Sequence, residues 1–153
     1  MAVNTILLSD FTDPRFRTAF QSYFTEIGFS IKDWDGLFQE MDEEGNNRAF
    51  LLLDEDSEAQ GFLQFQMTGF SNWFFEEPFG FIREFWVSPA YRRQGYGKML
   101  LHLAEAYFVE HGAFRSVLTA DDAVEFYLAN GYEKALGIQA KNKMEVLVKA
   151  LSA

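Results

Sequence analysis

Arg92-Arg93-Gln94-Gly95-Tyr96-Gly97-Lys98 stands between two segments of opposite character. Ahead of it, residues 81–87 carry the aromatic and branched bulk of a strand, which Ser88-Pro89 stops. Behind it, Tyr96, Met99, Leu100, Leu103 and Tyr107 keep helical spacing to about residue 111, and Gly112 follows as a helix-ending residue. A glycine-rich bend running into a helix start suits an anion. The first-turn N–H groups have no intrahelical partners, the macrodipole adds positive potential, and glycine lets the main chain approach closely. Arg92, Arg93 and Lys98 add charge. One such helix-end interaction contributes about 0.3–1 kcal/mol when exposed, so several must act together to hold a pyrophosphate. Two familiar phosphate loops are excluded. Lys98 is followed by Met99 where a nucleotide triphosphatase needs Ser or Thr, and Leu100 stands where a dinucleotide fingerprint needs its third small residue.

Outward from this stretch, residues 5–9 read as a first strand. Asp13-Pro14 opens a helix whose face is Phe16, Phe20, Tyr23, Phe24 and Ile27 before Gly28 ends it. A short helix is predicted over 33–41, strands over 48–53 and 61–68, and a loop crowded with rings over 69–80. Asp54, Asp56 and Glu58 alternate as in a calcium loop, but Ala59 replaces the loop glycine and Phe65 the final Glu, so residues 54–60 read as a solvated turn. Further on, a strand is predicted over 114–118, a helix capped by Asp121 or Asp122 and ending at Asn130-Gly131, and strands over 135–140 and 144–148. The order is β-α-α-β-β-β-α-β-α-β-β.

The 153 residues suit one domain, and 18 Phe supply a large core. Lys plus Arg total 13 against 23 Asp plus Glu, a net charge of −10. That balance argues against a nucleic-acid partner and for a field that attracts cations. With no cysteine there is no disulfide, no thiolate metal site and no cysteine nucleophile. His102 and His111 form no metal motif, so no metal is expected. The start of the chain has no basic lead and only a short apolar run at 6–8, and no stretch is long enough to cross a bilayer, so a cytoplasmic protein with no membrane partner is expected.

Val87-Ser88-Pro89-Ala90-Tyr91-Arg92-Arg93-Gln94-Gly95-Tyr96-Gly97-Lys98-Met99-Leu100-Leu101 resembles the acetyl-CoA motif of the GNAT N-acetyltransferase superfamily, Gln/Arg-x-x-Gly-x-Gly/Ala. Ala123-Val124-Glu125-Phe126-Tyr127-Leu128-Ala129-Asn130-Gly131-Tyr132 is similar to that superfamily's Ala-x-x-Phe-Tyr-x-x-x-Gly-Phe stretch, and the element order matches from end to end. The resemblance implies the GNAT fold, of α/β (α+β) class: a mixed, mostly antiparallel sheet of roughly six or seven strands flanked by about four helices, one acetyltransferase domain over residues 1–153. It implies acetyl-CoA as co-substrate, with no metal, and transfer of the acetyl group to a primary amine. Arg92 and the main chain of Arg93, Gln94, Gly95, Tyr96, Gly97 and Lys98 would bind the pyrophosphate. The main chain of Phe85, Trp86 and Val87 would pair with the pantetheine arm like an added strand, and Tyr127 would protonate the departing thiolate. One departure stands out: many members carry Asn seven residues before this tyrosine, where this chain has Ala120, so that contact is lost or supplied by Asp121.

An amine must be neutral to attack a thioester. For a lysine-like amine with a pKa near 10.4, neutralisation at pH 7 costs about 4.6 kcal/mol, against ~1–1.4 for an α-amine. An alkylamine acceptor therefore needs a base, and Glu84 on the strand before the loop leads, unless it pairs with Arg83, Arg115 or a neighbour; Glu76 and Glu77 follow. Glu76-Glu77 beside Trp73, Phe74 and Phe75 suits a small cationic amine with flat parts. The same rings are open to a second reading, as core or as a homodimer interface. Without a cysteine, direct attack in a ternary complex is favoured over an acyl-enzyme. A non-catalytic acyl-CoA-binding or regulatory module and a protein or peptide N-acetyltransferase stay open as alternatives.

Overall fold

The computed structural model describes residues 2–153. In chain order it contains β1 (Asn4–Leu8), α1 (Pro14–Ile27), α2 (Trp34–Glu44), β2 (Asn47–Leu53), β3 (Ala59–Ser71), β4 (Glu76–Val87), a 3-10 turn at Pro89–Tyr91, α3 (Tyr96–Glu110), β5 (Arg115–Ala120), α4 (Val124–Ala129), β6 (Glu133–Lys134) and β7 (Glu145–Ala150). The strands form one seven-stranded sheet in the order β1-β2-β3-β4-β5-β7-β6. The β4–β5 pair is parallel, with Gly80 opposite Ser116 and Phe81 opposite Val117, while β1–β2, β2–β3, β5–β7 and β6–β7 are antiparallel. This is the mixed, mostly antiparallel α/β architecture expected from the sequence. Among the described residues no helix is long and apolar enough to cross a membrane.

Local chemistry sets the helix ends. The Asp13 side chain accepts from the Arg15 N–H at 2.9 Å, Pro14 takes the first helical position, and Gly28 ends α1 at φ +83°. The Arg15 side chain bonded to Asp13 holds that carboxyl below the usual aspartate range. Asp33 caps α2 through the Gly36 N–H at 2.9 Å, and the helix runs three residues past the expected end at Met41, to Glu44, before Gly45 turns at φ +77°. α3 closes with the Ala113 N–H on the Phe108 carbonyl at 2.8 Å and the Gly112 N–H on that of Val109 at 3.0 Å. In the β2–β3 turn, Asp54 accepts from the N–H groups of Asp56 and Glu58 and from Gln60 Nε2, which lower its pKa; its carboxylate serves the turn.

The Cα positions cluster into two compact units. One runs up to Gln66 and takes in Glu84–Ala104; the other comprises Met67–Arg83 and Glu105–Ala153. The first is built on phenylalanine. Phe16 meets Phe11, Phe38 and Phe62 edge-on at 4.8, 5.9 and 5.4 Å between centroids, and Phe20 packs on Phe62 at 5.6 Å. Each edge-to-face pair adds about 0.5–1.5 kcal/mol beyond the area it buries. In the second unit Leu118, Val146 and Leu147 are buried across the β5–β7 pair, and Gly80 leaves room for the Phe108 ring.

Four expectations need correction. The ring-rich stretch 69–80 is a long hairpin, closed by the Asn72 N–H on the Phe75 carbonyl at 2.8 Å. Its rings are not core: Trp73 is 99% and Phe74 97% exposed. The buried face of α3 is Leu100, Leu101, Ala104 and Phe108; of the expected set only Leu100 is fully buried. Neither Asp121 nor Asp122 caps α4, because Ala123 holds the cap position at φ +37° with no side-chain bond, and Asp121 accepts from the Asp122 N–H. The strand expected over 135–140 does not form, since Gly137 turns the chain at φ +85° and leaves Leu136 and Ile138 exposed; the two-residue β6 lies just ahead of it at Glu133–Lys134.

Candidate active site

Strand alternation turns Glu84 and Trp86 of β4 toward α1. The Tyr23 hydroxyl donates to Glu84 Oε2 at 2.9 Å, and the Trp86 indole N–H donates to Glu26 Oε1 at 3.0 Å. Trp86 also packs 6.3 Å from the Phe62 ring. Glu84 is half-buried there. Arg115, one of its expected alternative partners, instead pairs with Glu77 at 2.7 Å, which occupies one of the other candidate carboxylates; Glu76 is exposed on the hairpin.

At the end of β4 the Ser88 N–H donates to the Gln60 carbonyl at 2.8 Å, and the 3-10 turn leads into the loop. Arg92 reaches back. Its Nε donates to the Val87 carbonyl at 2.8 Å and its Nη2 to both oxygens of Glu26 at 2.8 and 2.7 Å. These bonds from Arg92, with that from Trp86, hold the Glu26 carboxyl below its usual range. Of the expected main-chain partners 85–87, the Val87 carbonyl is thus engaged by Arg92, and the Arg92 charge is matched by Glu26. Arg93 and Lys98, both exposed, supply the remaining charge of the loop.

The loop bends as an anion cradle would. Arg93 and Gly95 sit at φ +62° and +86°, the changes of hand that turn successive N–H groups into one concavity. The Met99 N–H donates to the Gly95 carbonyl at 3.1 Å, the first bond of α3, so the amides just ahead of it precede every intrahelical acceptor. Nothing lies within 4 Å of where a Gly95 Cβ would stand, and the Gln94 side chain folds back onto the Ala90 carbonyl at 3.1 Å. Beside the bend, Gly95, Lys98, Met99, His102 and Leu103 line a shallow depression of about 450 Å³. These residues fit a diphosphate: open backbone donors, a helix start and exposed cations.

Tyr127 belongs to the second unit. It is buried, and its ring meets Phe126 at 5.3 Å and Tyr132 at 5.7 Å, both edge-on. Ala120, where the motif's Asn is missing, is buried at the end of β5. No group of three or more His, Asp or Glu among the described residues could hold a metal ion.

The sequence reading missed Tyr23 and Glu26 as partners of β4, and a buried polar cluster around Tyr132. The Tyr132 hydroxyl donates to Glu105 Oε2 and meets Ser116 Oγ, each at 2.8 Å, and Lys149 Nζ donates to Glu105 Oε1 at 2.9 Å. Desolvation, and the Glu105 carboxylate beside it, push the Tyr132 phenol up. The one local signal was a Glu on the apolar side of α3, one residue after Ala104.

The chain shares this fold with solved acetyltransferases. It superposes on a GNAT-family acetyltransferase from Staphylococcus aureus Mu50 with a TM-score of 0.75 at 17% identity, covering 99% of this chain and 100% of that one. The Arabidopsis thaliana NAA60 structure, in complex with a bisubstrate analogue, gives 0.74 at 14% identity and 99% coverage of both chains. The PaiA N-acetyltransferase of Thermoplasma acidophilum, in complex with coenzyme A, gives 0.68 at 16%, covering 98% of this chain and 99% of that one. No curated protein sequence matches the chain. The model of the acetyltransferase (GNAT) family matches residues 7–132, which takes in the glycine-bearing loop before α3, β4 and Tyr127 together. The chain belongs to the GNAT acetyltransferase family, enzymes of acyl-CoA-dependent acyl transfer.

Proposed function

We propose that the protein transfers the acetyl group of acetyl-CoA to the primary amine of a small cationic acceptor, by direct attack in a ternary complex. The observation that carries this reading is the bend at Arg93 and Gly95 ahead of α3, with open space where a Gly95 side chain would stand. The amides of 93–98, with Arg93 and Lys98, hold the pyrophosphate of the donor. The main chain of Phe85, Trp86 and Val87 runs alongside its pantetheine arm, and Arg92 acts by locking Val87 and Glu26 at the foot of that strand.

Two proton transfers complete the reaction. Glu84 takes the proton from the acceptor ammonium, directly or through water, and so offsets the neutralisation cost of about 4.6 kcal/mol for a lysine-like amine. Tyr127 gives its phenolic proton to the departing thiolate. A chain without cysteine has no thiol to carry the acetyl group, which supports direct attack. The net charge of −10 supports a cationic acceptor.

Calorimetric titration with acetyl-CoA, followed by mass-spectrometric screening of amines, tests the reading. Binding, with acetylation of small cationic amines ahead of neutral amines and peptides, is expected. Binding without transfer to any amine would make the protein an acyl-CoA-binding module, and no binding at all would overturn the proposal.

A further inference from the structure

We propose that Tyr132, anchored by Glu105, Ser116 and Lys149, is a positioning residue that fixes the phenol of Tyr127. The proposal rests on the reading of Tyr127 as the acid. α4 is poorly equipped to hold that side chain by itself. It has only six residues, begins from Ala123 in the left-handed region and lacks a side-chain cap. A helix this short has little stability of its own. Tyr132 supplies what is missing. Its N–H donates to the Tyr127 carbonyl at 3.0 Å, and its ring meets the Tyr127 ring edge-on with centroids 5.7 Å apart.

Tyr132 is in turn immobilised from three elements. Its hydroxyl donates to Glu105 Oε2 of α3 and accepts from Ser116 Oγ of β5, each at 2.8 Å. Lys149 of β7 clips the other Glu105 oxygen at 2.9 Å and lies 5.7 Å from the Tyr132 ring centroid. Packing alone would be met by phenylalanine. The hydroxyl instead brings a carboxylate into the interior, where Glu105 is 7% and Ser116 0% exposed, an arrangement that needs every partner in place. What it yields is a ring that cannot slide. Proton donation within a bound complex depends on such placement, because an error of about 1 Å can cost on the order of 10²-fold in rate.

A double-mutant cycle in the full chain decides the matter. Tyr132→Phe is expected to lower kcat about tenfold while leaving KM for acetyl-CoA within about twofold, and to add no further loss to Tyr127→Phe. Lys149→Met, at a side chain that reaches solvent, is the milder companion, with a loss of about threefold that also vanishes in the Tyr127→Phe background. Should Tyr132→Phe fail to fold, the Lys149 cycle alone decides. Losses that are the same in both backgrounds, or an unchanged kcat, overturn the positioning role. If Tyr127→Phe itself leaves kcat unchanged, the acid assignment falls and takes the positioning role with it. If Tyr127→Phe slows turnover and the cycles are additive, only the positioning role falls.

Discussion

Glu84 and Gly95 are the residues of the first unit at which single substitutions test the proposed chemistry. Glu84 is held by the Tyr23 hydroxyl on the α1 side of β4. Glu84→Gln should slow acetylation of an alkylamine at pH 7 by about 10²-fold. The deficit should shrink as the pH rises toward the pKa of the amine, where the acceptor sheds its own proton. Rates of wild type and variant across that range check this, and a pH-independent ratio would remove Glu84 as the base. Gly95 sits at φ +86°, a conformation that costs a residue with a Cβ about 1–3 kcal/mol, yet open space surrounds it. Gly95→Ala should therefore act through the backbone. Acetyl-CoA affinity should weaken about tenfold or more, since 1.4 kcal/mol is a factor of ten, while calorimetry on Gly112→Ala, at a similar φ of +80° but at the far end of α3, should show no change.

Elements were legible in the sequence where their ends are chemically local. Asp13-Pro14 and Gly28 frame α1, and Gly95 and Gly112 bracket α3, because caps and positive-φ glycines act within a turn. What was missed depends on distance. Phe70, Trp73, Phe74 and Phe75 with Gly69 and Pro78 read as a loop, yet Gly69 lets the backbone of Glu77 and Pro78 come close and the strands run on. The strand expected over 135–140 failed because Gly137 turns the chain. The Tyr132–Glu105–Lys149 cluster joins residues 27 and 44 positions apart, which no local pattern encodes. Of the candidate site, a glycine bend running into a helix was readable, whereas the positive φ of Arg93 and the capture of Arg92 by Glu26 were not. Gly80 shows how one element seats another. A Cβ there would run into the Phe108 ring, so Gly80→Ala should destabilise the fold by about 1–3 kcal/mol, read as a lower urea midpoint with an unchanged slope. An unchanged midpoint would mean that α3 shifts freely on β4.

At the scale of the whole molecule, the charge of −10 sets a long-range field that attracts cations, and the cationic acceptor proposed above puts that field to the test. Salt shortens its reach, from a Debye length of about 10 Å at 0.1 M to ~3 Å at 1 M. The kcat/KM for a cationic amine should fall several-fold as ionic strength rises across that range, while that for a neutral amine stays flat. Equal slopes for the two would leave the charge with no part in acceptor choice. The hairpin tip has a use of another kind. Trp73 is one of three tryptophans, and it is 99% exposed whereas Trp34 and Trp86 are packed against Phe38 and Phe62. A fully wetted indole fluoresces to the red of a sheltered one and is quenched readily by acrylamide. The protein therefore carries its own optical probe at the end of that arm. Whatever settles on the tip, be it acceptor, peptide or a second copy, would announce itself as a blue shift and a loss of quenching, with no label attached.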